Sequence, residues 1–139
     1  MVVTILDEII EKLKSHIFSI PVKDVRDPYS SKTPVYPMIV VEETRNIPDS
    51  QLHGELIRTK LDYKFEIYGR DTTSDGEVIS KRQVVTSIFK ELDEIMRETY
   101  GMKVNVSPTI LAATDKTVVR HITTYSGIID NETMIIYQR

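Results

Sequence analysis

The residues best placed to move a proton or hold a metal near neutral pH are His16, His53 and His121. They fall on an expected helix, loop and strand, and none has a second ligand at metal-binding spacing. A Ser-His-Asp set can be assembled from distant residues of almost any chain, and no G-x-S-x-G elbow supports one here. Asp71 and Asp75 flank a glycine turn, but the D-x-D-x-D-G spacing and distal glutamate of a calcium loop are absent, so helix capping explains them better. The chain contains neither a P-loop nor G-x-G-x-x-G. Glu42, Glu43, Glu91, Asp93, Glu94 and Glu98 supply carboxylates that read as solvated faces. Tyr63, Tyr68, Tyr125 and Tyr137 invite comparison with a base-stacking platform, but Tyr63 shares the core parity of its strand and strand packing is the simpler reading. No catalytic site, metal or cofactor is therefore expected.

The exposed feature above background is the stripe Arg58, Lys60, Asp62, Lys64 and Glu66. Mixed signs on one face of a strand serve cross-strand pairing, and they can equally set register between identical subunits.

These residues need elements to position them. From Thr4 the apolar positions Ile5, Leu6, Ile9, Ile10, Leu13 and Ile17 recur at helical spacing, with Thr4 and Asp7 suited to the first turn. The pattern predicts an amphipathic helix of about four turns. Pro21, Pro28, Pro34 and Pro37 make the next segment an extended loop. Met38 to Thr44 reads as a short strand, broken by Asn46 to Gly54 with Pro48 and Asp49. In residues 55 to 68, Ile57, Thr59, Leu61, Tyr63, Phe65 and Ile67 alternate with the charged stripe, the clearest strand pattern in the chain. Such a strand spans roughly 45 Å, long for a compact domain, and part of it is expected to project.

Gly69 to Gly76 reads as a loop, Ser74 and Glu77 as a capping box, and Val78 to Tyr100 as a helix of about six turns stopped by Gly101. Met102 to Val106 precedes a break at Pro108, and Val118 to Ile129 with Met134 to Tyr137 flank a polar turn at Asp130 to Thr133, a hairpin. The expected fold is α+β: a mainly antiparallel sheet with two amphipathic helices packed on one face.

The 139 residues fit one domain, 1–139, and 40% hydrophobic with 28% charged residues is ordinary for a globular chain. With 18 Lys and Arg against 21 Asp and Glu, the formal charge is -3, which disfavours a sequence-specific nucleic-acid partner. The absence of cysteine removes disulfides and thiolate chemistry. The acidic N-terminus does not resemble a signal peptide and no apolar run reaches bilayer length, so no membrane role is expected and the protein is read as soluble and unexported.

Taken together, an N-terminal helix, a proline-punctuated loop entering Pro37-Met38-Ile39-Val40-Val41, a strand ending Phe65-Glu66-Ile67-Tyr68-Gly69, a helix from Ile88 to Gly101, and a β-rich end with Arg120 and Ile135-Ile136-Tyr137 resemble the small tail terminator and tail completion proteins of long-tailed bacteriophages and prophages. The resemblance is one of layout and spans most of the chain. It implies a homo-oligomer, usually a hexameric ring, that ends tail-tube polymerisation at the head-proximal end and meets the head connector. Its expected location is the host cytoplasm during assembly and then the tail or neck of the virion. Neighbouring neck and head-completion proteins of similar size fit the same layout. Under this reading subunit contacts are expected in Pro28 to Pro37 and Asn46 to Gly54, through Pro28, Tyr29, Pro34, Asp49 and His53, together with the charged stripe. A small-molecule-binding regulatory module, with a pocket between Pro21 to Pro37 and the sheet, is the reading from another class.

Overall fold

The protein is described here by a computed structural model covering residues 4–52, 55–130 and 136–137. Its elements in chain order are α1 (Leu6–Ser15), β1 (Asp24–Arg26), β2 (Met38–Leu52), β3 (Glu55–Gly69), β4 (Thr72–Ser74), β5 (Glu77–Ile79), α2 (Lys81–Glu94), β6 (Lys103–Ala112), β7 (Val119–Asp130) and β8 (Ile136–Tyr137). Beyond Glu94, α2 continues as a π-helical stretch, Ile95–Thr99.

The main sheet runs β1-β2-β3-β7-β6. Pairing is antiparallel throughout except between β1 and β2, which are parallel. β8 pairs with Ile128 and Ile129 at the end of β7, beyond Ser126 where β6 begins. Because β3 occupies the other edge of β7 there, β8 and β6 lie along the same edge. The fold is α+β, as the hydrophobic patterning requires.

Alternation along β3 aims Leu61, Tyr63, Phe65 and Ile67 at one face, where Ile39 and Val41 of β2 and Val119, Tyr125 and Ile129 of β7 join them. Ile9 and Leu13 of α1, and Val84, Val85, Ile88 and Leu92 of α2, close this core. Each such aliphatic or aromatic side chain contributes about 1.5–3 kcal/mol relative to exposure. α1 lies over β1 and β2, and α2 over β3 and β7.

Several boundaries differ from the sequence reading. α1 is shorter than expected. Its N-cap is Ile5, which has no side-chain cap, and Thr4 one position earlier accepts from the Leu6 amide and donates to Glu43. Ile17 lies outside the helix, exposed. The expected break at Asn46 to Gly54 is corrected: β2 runs on to Leu52, with register shifts around Thr44, Pro48 and Ser50 accommodating the proline. Pro108 likewise does not end β6, because an edge strand needs no amide on its outer side and the register shifts there.

The capping box belongs to Ser80 and Gln83, not to Ser74 and Glu77. Ser74 and Glu77 instead close the β4–β5 hairpin around Asp75 and Gly76, both at positive φ. Gly101 adopts the expected left-handed conformation, φ 64°, its amide closing onto the Arg97 carbonyl and that of Met102 onto Met96. The C-terminal pairing of β7 with β8 is as expected, its turn lying outside the described residues. Among the described residues no helix is long and apolar enough to cross a membrane.

Candidate functional site

The sheet face away from the helices carries the charged stripe. Strand register sets Arg45, Asp62, Ser126 and Lys103 opposite one another in a row across β2, β3, β7 and β6. Asp62, expected on an exposed face, is buried. It binds Arg45 through two bonds, Nε to Oδ2 at 3.1 Å and Nη2 to Oδ1 at 3.2 Å, and accepts from Ser126 Oγ at 2.6 Å. That geometry fixes the guanidinium plane and engages both oxygens of the carboxylate.

Toward the other end of β3, Lys64 lies 3.1 Å from Glu42 on β2 and 3.5 Å from Glu66. Glu66 also takes Arg120 Nη1 of β7 at 3.2 Å and the Tyr68 hydroxyl at 2.8 Å. Partial burial disfavours the charged Lys64, but hydrogen bonding and attraction from Glu42 and Glu66 outweigh it and raise its pKa. Burial, with Glu66 beside it, raises that of Tyr68 as well. Lys64 and Glu66 are thus engaged within the subunit and hold three strands in register. Arg58 is exposed, and Lys60 is half-buried one row beyond Asp62.

Pro28, Tyr29 and Pro34 are exposed on the loop between β1 and β2, with Tyr29 88% accessible. Arg26 ties that loop down by donating to the Lys32 and Thr33 carbonyls. Asp49 falls within β2 on the hairpin arm, and His53 lies outside the described residues. The β1–β2 loop meets the end of the stripe at Tyr36, whose ring lies 6.4 Å from that of Tyr68, the donor to Glu66.

The carboxylates read as solvated are mostly engaged. Glu43 accepts from Tyr63 at 2.8 Å, Asp93 from Tyr125 at 2.6 Å and from Arg97 at 2.9 Å. Glu91 lies 3.1 Å from His16 Nε2 and accepts from the Ser19 amide; burial pushes its pKa up, but these bonds prevail and lower it. Asp71 accepts from the Lys81 amide, the capping role expected of it. His121 is buried against Phe89, ring centroids 4.3 Å apart, with Nδ1 unpartnered among the described residues and its pKa lowered by desolvation. Tyr63 and Tyr125 are buried core residues, as strand packing requires. Among the described residues no group of three His, Asp or Glu side chains converges to hold a metal.

The sequence reading missed a pocket of about 240 Å³ on the outer face, lined among the described residues by Arg45, Lys60, Lys103 and Ser126 with apolar walls from Val104 and Ile128. Arg45 lay between the strand read as ending at Thr44 and the break read from Asn46, and Lys103 is a single cation in a short strand. Only the cross-strand register brings them together.

The chain matches no model of a known protein family, and no curated protein matches it in sequence.

Proposed function

We propose that this chain is a structural assembly subunit that works as a ring, capping a phage tail tube at its head-proximal end and joining it to the head connector. Supporting an assembly role is one observation above the rest: β6 is exposed along almost its whole length and, among the described residues, is hydrogen-bonded to β7 on one edge alone. Val104, Val106 and Leu111 are among its exposed side chains. Only Ile110 of this strand packs against the core among the described residues, so the strand contributes little to its own subunit and offers backbone and side chains to a neighbour. The tail-terminator identity rests on the layout of elements, and a neighbouring neck or head-completion protein shares that layout. The reading assigns the chain no catalytic chemistry.

Light scattering on the purified protein over a wide concentration range, with negative-stain electron microscopy in the presence of tail-tube protein, tests this. Rings alone or on tube ends are the expected result. A strict monomer that neither forms rings nor binds tubes overturns it.

A second reading has an observation of its own. A cavity of about 320 Å³ lies between the proline-rich loop and the sheet end, lined by Lys23, Pro34, Tyr36, Pro37, Arg70 and Asp71, with Arg70 stacked 4.5 Å over Tyr36. Its size is at the low end for small-molecule sites. Reproducible thermal stabilisation in a ligand screen, lost in Tyr36→Ala, would favour a binding module instead.

A further inference from the structure

Of the cations lining the pocket beside β6, Arg45 also sets register through Asp62, whereas Lys103 has none of the core-building or register-setting roles described above. Its cations come from three strands: Arg45 from β2, Lys60 from β3 and Lys103 from β6. No carboxylate lines it among the described residues. The nearest in the row, Asp62, already carries two bonds from Arg45 and one from Ser126. Lys103, at the end of that row and exposed, has no acidic partner among the described residues. The pocket also lies where the sheet edge changes hands: β6 begins opposite Ser126 and β8 ends opposite Ile128, so Gly127 separates them. About 240 Å³ with apolar flanks from Val104 and Ile128 suits an acidic side chain with its methylenes.

The opposite edge of the molecule supplies that chemistry. α1 lies over β1 and β2, at the far end of the strand order from β6. Its first two turns expose Asp7, Glu8 and Glu11, while Lys12 and Lys14 fall in its last turn. In a protein of net charge -3, the exposed Lys103 on edge strand β6 and the carboxylates of α1 at the far end of the strand order make two copies complementary head to tail. Contacts between two different surfaces of identical subunits propagate, and they close into a ring when the rotation allows.

We propose that the pocket formed by Arg45, Lys60 and Lys103 receives carboxylates of the first two turns of α1 from a second copy of this chain. The inference rests on the assembly reading and names the surfaces that carry it. Attraction of this kind selects partner and orientation, and it weakens as salt screens it.

The test uses the full-length protein in two variants, Lys103→Glu and Glu8→Lys/Glu11→Lys, each altering exposed positions. Circular dichroism and unfolding midpoints establish that both remain folded, and sedimentation velocity measures association. Each variant alone is expected to associate about tenfold or more weakly than the wild type, and an equimolar mixture to recover most of the loss, because one variant's pocket then matches the other's helix. If wild type assembles and the variants assemble equally well, or if mixing restores nothing, the pocket assignment falls while the assembly reading stands. Wild type that never associates overturns both. Should inorganic phosphate at millimolar concentration shift the Lys103 and Gly127 amide resonances of a wild type that assembles independently of Lys103, the pocket is a site for a free anion and the inference is wrong.

Discussion

The buried hydroxyls of Tyr63 and Tyr125 both end on carboxylates, Glu43 and Asp93, and burial with those neighbours raises both phenolic pKa values far above their ordinary range. Tyr63 also accepts the Ile5 amide at 3.1 Å, tying the start of α1 to the sheet. Tyr63→Phe leaves that amide and one Glu43 bond unmet, and should lower stability by about 1–3 kcal/mol in urea denaturation. His121 behaves differently, since its Nδ1 has no hydrogen-bond partner among the described residues and its pKa lies below the ordinary 6.5. The folded state then binds fewer protons than the unfolded one, so the histidine's neutral form is at no disadvantage above 6.5 and stability declines as pH falls through that value. Glu91, with its pKa lowered from 4.5, loses its contribution in a separate, more acidic window. Unfolding free energies compared between about pH 7.5 and 5.5 should fall less steeply for His121→Leu than for the wild type. Of these residues, the parity of Tyr63 was readable from β3 alone. The partners were not, because Glu43 and Asp93 reach their tyrosines only through tertiary packing.

At the scale of elements, the strongest periodic patterns, those of β3 and α2, were legible, and the errors came where two local signals competed. Ser74-x-x-Glu77 and Ser80-x-x-Gln83 both satisfy the capping-box spacing. Asp75-Gly76 decided between them, since two successive positive φ angles suit a tight hairpin better than a helix start. Val78 fits the helical period of α2 yet is exposed on β5, which is why the helix was read too long. Pro48 and Pro108 were read as breaks because a proline's cost depends on whether its missing amide would have been paired, which sequence does not disclose. Gly69 is an element-scale requirement that composition also hides. At the end of β3 beneath α2, an added Cβ would come within 2.8 Å of Val85 Cγ1 and 3.1 Å of Val84 Cγ1. Gly69→Ala should therefore push α2 off the sheet and cost about 1–3 kcal/mol. A midpoint unchanged in thermal unfolding would show that the helix moves aside freely.

For the whole molecule, the two faces of the sheet divide the work. The helix-covered face holds the apolar cluster that joins α1, α2 and the central strands, while the outer face holds ion pairs that are partly open to solvent. Partly exposed pairs contribute about 0–1 kcal/mol each, so they set strand register more than they hold the fold. Salt should consequently separate folding from assembly. Raising ionic strength from about 0.05 to 0.5 M shortens the screening length from roughly 14 to 4 Å. Charges already 3.1 Å apart within a subunit, such as Arg45 and Asp62, lose little, and the apolar core loses nothing. Attraction that must act between separate copies loses most of its reach. The urea midpoint measured on dilute protein is thus expected to move only slightly across that range, whereas self-association measured by sedimentation on the same samples should weaken several-fold. If folding and association weakened in parallel, the outer-face charges would be sustaining the subunit itself and the division of labour between the two faces would be wrong.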